Sequence, residues 1–445
     1  MPDHAGSHGA PFTRRRFISR GGALGVAALG GGSLLAACGG GDDQAASSGG
    51  TVELSFASAK FFGSSTIADI VDVYNKSQSK IRVKYIELPP PSSSTEVHQQ
   101  LVQQLGSGSG TPDVFTQDVI WIAEFAGAGW AMDLSSAVGT SEREEYFPGL
   151  IDACTYDGKL TALPWFVDSG MLYYRKDLLK QAKLDVPETW DDLVAAATKL
   201  MQSGDTPLGF VWQGKQAEVL VCDLVSFIGS FGGAMLASDG KTVQIADPPA
   251  QAAVQFMYDT INRYKITPRD VLGWDEEPSR RPFTSGQAAF LRNWSYVFKI
   301  AQDPNASKIV GKAGIAPLPH DPAGKSSAAL GGYQYGVNAK TKHPEEAISF
   351  VKWMSSADTQ LRFATELGLA PSRPAVFDSR KLKVDSPDMV QLQDVFVGAT
   401  PRPVTPKYPQ VTLAIQSSVS RALSTGDVAG SLEQAKTEIE RIVGA

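Results

Sequence analysis

Several aromatic side chains stand beside groups that donate or accept hydrogen bonds. Trp165 and Phe166 precede Asp168, Trp274 precedes Asp275-Glu276-Glu277, and Trp294 and Tyr296 follow Arg292-Asn293. Tyr333 follows Gly331-Gly332, and Arg373 lies between Ser372 and Pro374. That mixture suits a polyhydroxylated ring. The apolar C–H face of a pyranose packs on an aromatic ring, and its hydroxyls need both donors and acceptors. Carboxylates accept from adjacent hydroxyls, while arginine and backbone N–H groups donate. Hydrogen bonds to charged groups contribute about 1.5–3 kcal/mol each, and micromolar binding needs only about 8 kcal/mol net. Each residue also has a plainer role. Trp190 and Trp353 sit in helical patterns and read as core, and Trp294 fits a platform or a core equally by spacing alone. Asp118 and Asp168 read as caps or surface groups when taken singly. Glu276-Glu277-Pro278 reads as a helix start, where the dipole favours acids.

The elements that must position these residues alternate strand and helix. Val52-Glu53-Leu54-Ser55-Phe56 and Ile81–Ile86 alternate with period two, and Asp113-Val114-Phe115 is a third short strand ending at Gln117-Asp118. Between them, Thr66 to Gln78 places Ile67, Ile70, Val71 and Tyr74 on one helical face, and Thr95 to Leu105 is also helical. This order predicts an α/β sheet with mostly parallel strands, whose ligands sit beyond the strands' carboxyl ends, where Asp118 lies. Met171–Arg175 is expected to open a second lobe, with Thr189 as N-cap of the next helix. Helices are expected over 345–368 and 428–443. A return to the first lobe is expected near 307–314, with Gly314–Pro319 a strand running into a loop.

Ahead of this lies a segment with a different task. Arg14-Arg15 precede Phe17-Ile18, a glycine-rich weakly apolar run follows, and Leu35-Ala36-Ala37-Cys38 ends it. We read residues 1–37 as a twin-arginine lipoprotein signal peptide. Cys38 is then the lipid-attachment residue, and 38–50 a flexible tether of Gly, Ser, Ala and Asp. The expected location is the outer face of the cytoplasmic membrane. Removing the leader takes away four arginines and one aspartate, so the net charge moves from −6 to −9. That argues against a nucleic-acid or anionic-membrane binder. Cys154 and Cys222 are expected as two separate buried thiols, although a disulfide is chemically allowed outside the cell. No Cys/His spacing indicates a metal, and no cofactor is expected. The chain beyond the tether is long enough for two lobes.

Further segments, in order, carry a resemblance. They are Pro112-Asp113-Val114-Phe115 with Asp118 and Trp121, Leu172-Tyr173-Tyr174-Arg175-Lys176-Asp177, Gly209–Gln216 and Val221-Cys222-Asp223. Then come Arg292-Asn293-Trp294, Ala316-Pro317-Leu318-Pro319-His320, Leu330-Gly331-Gly332 and Arg402-Pro403. Together they resemble the type-1 extracellular solute-binding proteins of ATP-driven sugar importers, closest to the trehalose/maltose-binding branch. The resemblance implies a two-lobe periplasmic-binding-protein-like α/β fold (type II) whose hinged lobes close on the ligand. It implies lobes built from 51–163 with 309–355 and from 164–308 with 356–445. It assigns Asp118, Asp168 and Glu276 or Glu277 as acceptors of sugar hydroxyls and Trp294 as the stacking platform. It makes Gly331 and Gly332 a source of backbone groups and Arg373 a donor, with Trp274 a weaker candidate. The chain departs from the branch at Lys60, at Ser93 and His98 (where an arginine is usual), at Phe166 and at Tyr333. The implied ligand class is therefore a neutral sugar: a disaccharide such as trehalose or maltose, or another short glycoside. The implied partners are the permease's transmembrane subunits, with the receptor a monomer.

Two other functions fit the composition. A glycosidase would use Asp118 and Asp168 as paired carboxylates, but no segment places one acid in an apolar run that would raise its pKa. A binder of a phosphorylated polyol or peptide would need clustered cations, and Lys60, Arg292 and Arg373 are scattered.

Overall fold

The computed structural model describes residues 50–61, 66–237 and 242–444. The leader, Cys38 and nearly all of the tether lie outside the described residues. Two sheets carry the architecture. The first orders its strands Ile81–Leu88, Val52–Ala59, Val114–Asp118, Tyr333–Val337 and Leu163–Pro164. The second orders Ala313–Ala316, Met171–Arg175, Ala288–Asn293 and Leu208–Val211.

The expectation of mostly parallel strands holds only in part. Val52–Ala59 is parallel to both of its neighbours. Tyr333–Val337 runs antiparallel to Val114–Asp118, and Met171–Arg175 is antiparallel to both of its own neighbours. A strand that arrives from another sheet escapes the short right-handed crossover that keeps consecutive strands parallel. The segment expected to lead back to the first lobe also behaves differently. Ala313–Ala316 pairs with Met171–Arg175, so it belongs to the second sheet. Gly314 lets the Tyr174 ring lie across this strand: a Cβ there would be 2.5 Å from that ring. The chain re-enters the first sheet only at Tyr333.

Each sheet is covered by helices whose apolar stripes face it. Thr66–Ser77 buries Ile67, Ile70, Val71 and Tyr74 against the first sheet, as its spacing requires. Trp190–Gln202 starts with a capping box in which Thr189 Oγ1 accepts from Asp192 N–H at 3.1 Å. Trp190 is buried in the core of the second sheet, beside helices Glu218–Ser230, Pro248–Asn262 and Tyr408–Thr425. Trp353 packs partly buried on the core of the first. Cys154 and Cys222 are free thiols buried in these two different cores, and burial pushes both thiols up. A short antiparallel ladder joins Leu330–Gly331, Phe166–Ser169 and Ala370–Pro371, and the first two lie in the chain path between strands of the two main sheets. Among the described residues, no helix is long and apolar enough to cross a membrane.

Candidate functional site

A cavity of about 960 Å³ gathers Asp118, Asp168, Glu276, Glu277, Trp294, Gly331, Gly332 and Tyr333 in its walls, with Ser93 and Phe166. The fold accounts for their meeting. Asp118 ends its strand and pairs in register with Tyr333 of the neighbouring strand. Gly331 pairs in register with Asp168. Trp294 follows the last residue of Ala288–Asn293, and Glu276 and Glu277 open the helix Glu276–Thr284.

The aromatic wall is fixed from behind. The Arg292 guanidinium lies 4.5 Å from the Trp294 ring centroid. It is anchored by Asp223 at 2.7 Å and by Gln213 Oε1 at 2.9 Å. Gly331 gives the indole room: a Cβ at that position would come within 2.9 Å of the ring. Tyr333 stacks on Phe166 with planes 15° apart, and Phe61 meets both rings edge-on. Gly332 has φ of +109°, which favours glycine, and a Cβ there would strike the Phe166 carbonyl at 2.3 Å. The Gly332 carbonyl accepts from Val119 N–H, so its backbone is partly engaged within the fold.

The carboxylates differ sharply in what already binds them. Asp168 Oδ1 accepts from the N–H groups of Ser169 at 2.8 Å and Ser295 at 3.1 Å, yet burial raises its pKa to about 6. Glu276 has an oxygen with no protein partner, and burial raises it to about 7. Burial also pushes Glu277 upward. The Arg280 hydrogen bonds and charge outweigh that effect and leave it below the usual range. Glu277 takes Arg280 at 2.9 and 2.5 Å and the Tyr296 hydroxyl at 3.0 Å. Of the adjacent pair, Glu276 is thus the open acceptor and Glu277 the satisfied one. Three more cavity-lining groups have a buried polar atom without a protein partner: Tyr333 Oη, Arg402 Nε and Ser295 Oγ. Buried polar atoms are normally paired, so this set describes the ligand the cavity would complete: one with both donors and acceptors.

Arg402 was not among the expected site residues, although Arg402-Pro403 was one of the recognisable segments. It crosses the cavity floor. Its Nη2 donates to Asp118 at 3.0 Å and its Nη1 to Glu218 at 2.8 Å. Glu218 also accepts from the hydroxyls of Tyr408 and Thr412. Glu218 and Lys215 are further wall residues that the sequence reading missed, and Lys215 faces Asp275 at 2.7 Å. No sequence signal separates Glu218 from other helix-start acids.

Four expected residues lie elsewhere. Arg373 is outside the cavity walls. Its guanidinium donates to the Ser355 carbonyl, Glu145 and Tyr146, and stacks on the Tyr146 ring. His98 pairs with Glu124 at 2.5 Å and stacks on Phe125. Lys60 pairs with Glu87 on the surface. Trp274 packs partly buried against the second core and offers its carbonyl to Lys215 N–H. Among the described residues, no group of three or more His, Cys, Asp and Glu could hold a metal ion.

Comparison with known proteins places this geometry. The family model for bacterial extracellular solute-binding proteins matches residues 63–361. A probable ABC transporter-binding protein of Deinococcus radiodurans is 35% identical over 372 residues, spanning 81% of this chain and 87% of that relative. An arabinooligosaccharide-binding protein of Bacillus subtilis is 25% identical over 341 residues, 75% of this chain and 76% of that one. Among solved structures, maltose-bound MalE3 of T. maritima aligns with a TM-score of 0.83 at 38% identity, over 88% of this chain and 100% of that one. A mannitol-bound solute-binding protein of Agrobacterium vitis shares the fold, with a TM-score of 0.75 at 23% identity over 88% of this chain and 99% of that one. The two-lobed α/β arrangement and the cavity walled by both main sheets are thus those of a receptor, and this chain belongs to the family of bacterial extracellular solute-binding proteins.

Proposed function

We propose that this protein is a lipid-anchored receptor that captures a neutral sugar outside the cytoplasmic membrane and hands it to an ABC importer. The observation that carries the reading is the pairing of a fixed indole, Trp294, with the unpartnered oxygen of Glu276 in one cavity. The indole suits a pyranose face and the carboxylate a hydroxyl. Tyr333, Arg402 and Ser295 add groups that pair with further hydroxyls. A disaccharide such as maltose or trehalose meets these demands, and the maltose-bound T. maritima structure at 38% identity supports that choice.

Charge supports a neutral ligand over a phosphorylated one. Of the cations in the walls, Lys215, Arg280 and Arg402 each face a carboxylate, and Lys299 is exposed at the surface. A phosphate at the buried end would have to displace a carboxylate from its partner, and the cluster of open cations that a phosphate site needs is not formed by one solvated lysine. The glycosidase alternative gains one feature, since Asp168 and Glu276 are carboxyls raised by burial, as a general acid must be. The relatives named above are binding proteins, which favours capture over hydrolysis.

In this reading the lobes approximate 51–163 with the returning segment and 164–308 with the C-terminal helices. Ligand contacts both only when they close, so it shifts the population toward the closed state. Residues 1–37 are removed, Cys38 carries the acyl chains, and the monomeric receptor stays near its permease.

Calorimetry against a panel of mono-, di- and trisaccharides tests the reading. We expect micromolar or tighter binding of at least one neutral sugar, weakly dependent on salt. Absence of heat from every sugar, or binding only of a phosphorylated polyol, overturns it. The anchor is tested separately: Cys38→Ala releases the protein from membranes, and a variant that stays bound refutes the lipid.

A further inference from the structure

Arg402 differs from Arg373 in what it leaves unspent. All three nitrogens of the Arg373 guanidinium donate to the surrounding fold. Arg402 commits only two. Its Nη1 and Nη2 donate to Glu218 and Asp118, while its buried Nε, in a residue that lines the cavity, has no protein partner. A guanidinium is planar, so fixing both Nη atoms also fixes the direction of the Nε–H bond. Asp118 holds one end from a strand of the first sheet, and Glu218 holds the other from the start of helix Glu218–Ser230.

Glu218 is in turn held from outside the cavity. Its Oε1 accepts from the Tyr408 hydroxyl as well as from Arg402, and its Oε2 accepts from Thr412 Oγ1 at 2.6 Å. Tyr408, Thr412 and Gln416 follow one another at intervals of one turn along helix Tyr408–Thr425, so they share a face. Gln416 donates to Thr412 Oγ1 at 2.9 Å, which commits the Thr412 proton to Glu218. None of these three helix residues is in the cavity walls. Seating one helix on another requires only the two hydroxyls and their acceptor. The further reach of Glu218 to an arginine whose last donor is kept for the cavity goes beyond that task.

From this chain of contacts, and resting on the sugar reading above, we infer that Glu218 and Tyr408 are positioning residues for Arg402. Tyr408 orients Glu218, Glu218 orients the guanidinium, and the Nε–H so aimed selects one hydroxyl oxygen of the sugar. Tyr408 therefore acts on affinity without touching the ligand.

The test combines a spectroscopic reading of Arg402 with a mutant cycle in affinity. NMR of the purified protein carrying isotopically labelled arginine reads the Nε–H signal of Arg402, assigned by its loss in Arg402→Met. In the ligand-free protein, Tyr408→Phe and Glu218→Gln should each shift or broaden that signal and leave the Arg373 Nε–H signal in place. Calorimetry with a sugar that binds the unmutated protein should then show about threefold weaker binding for Tyr408→Phe and about tenfold weaker for Glu218→Gln. In the Arg402→Met background neither change should cost more than about a further twofold, because its effect passes through Arg402. Thermal melts identify a Glu218→Gln protein that is unfolded, and Tyr408→Phe with Thr412→Val beside it then decides. An unmoved Arg402 signal, native affinity in the variants, or an equal loss in the Arg402→Met background refutes the positioning role while the sugar reading stands. If the unmutated protein binds no sugar, the sugar reading falls and the selection of a hydroxyl with it, while the Arg402 signal still decides whether Glu218 and Tyr408 hold that donor.

Discussion

The guanidinium of Arg292 lies under the indole of Trp294, 4.5 Å from its centroid, while its Nη1 sits 2.7 Å from Asp223 Oδ1. Both charges are fully buried, at 0% exposure. A desolvated cation–π contact contributes about 2 kcal/mol. The ring in the cavity wall is thus held by a charge, and that charge is held by a residue of helix Glu218–Ser230 that meets the cavity only through it.

Asp223→Asn should therefore damage both fold and site. Removing one partner of a buried ion pair leaves the other uncompensated, a cost of about 3–5 kcal/mol. We expect urea unfolding to show a loss of that size. The folded fraction should also bind sugar at least tenfold more weakly, because Arg292 is free to leave the ring. An Asp223→Asn protein with native affinity would show that Trp294 needs no support from behind.

Gly331 limits the same ring from another side. A methyl group at that position would meet the indole at 2.9 Å, and the nearest other contact is Asp168 Cβ at 3.6 Å. The φ of Gly331 is not in the left-handed region, so alanine adds no backbone strain there. Gly331→Ala should leave stability within about 1 kcal/mol and weaken sugar binding about tenfold by displacing the platform. Tryptophan fluorescence of the ligand-free variant reads the displacement directly.

These relationships mark how far the sequence could be read. Strand periodicity placed Asp118 at a strand end, and the helix-start pattern placed Glu276. Both statements depend only on neighbours in the chain. Choosing between two arginines does not. Arg373 and Arg402 have the same donor chemistry and both precede proline, but Ser355, Glu145 and Tyr146 engage one while Asp118 and Glu218 draw the other into the cavity. His98 and Lys60 were candidates by chain position, and each found a carboxylate, Glu124 and Glu87, that lies 26 or 27 residues away. The direction of Ala313–Ala316 was likewise settled by Tyr174 packing over Gly314, a contact between distant segments.

The two arginines give opposite predictions. Arg373→Met removes three buried or half-buried hydrogen bonds and a stacking contact far from the walls. It should lower stability by about 2–4 kcal/mol and leave the affinity of the folded protein unchanged. Arg402→Met should cost at least tenfold in affinity, because Asp118 loses its partner and the cavity loses a donor. Parallel melts and calorimetry on the two variants separate the roles. Equal affinity losses would place Arg373 back in binding.

The buried acids set a pH dependence of definite sign. Burial raises Asp168 to about 6 and Glu276 to about 7, against about 4 for such groups in an unfolded chain. Between pH 4 and 7 the native state therefore holds more protons than the unfolded one, so stability falls as pH rises. The stability these neutral carboxyls provide is present in full below about pH 4 and is lost as pH climbs through 6 to 7. Sugar reverses the preference. Hydroxyls donating to Asp168 and Glu276 favour the ionised form, so binding expels protons and tightens over the same interval. The ligand-free protein should lose about 4 kcal/mol of stability between pH 5 and 8 from these two groups together, while sugar affinity rises. Glu276→Gln should flatten the stability slope, because its amide does not titrate, and weaken binding most at pH 8. Calorimetry in buffers of different ionisation enthalpy counts the released protons. Proton uptake on binding near pH 6.5, or a ligand-free protein that grows more stable toward pH 8 in this range, would reverse the assignment of these two carboxyls as hydroxyl acceptors.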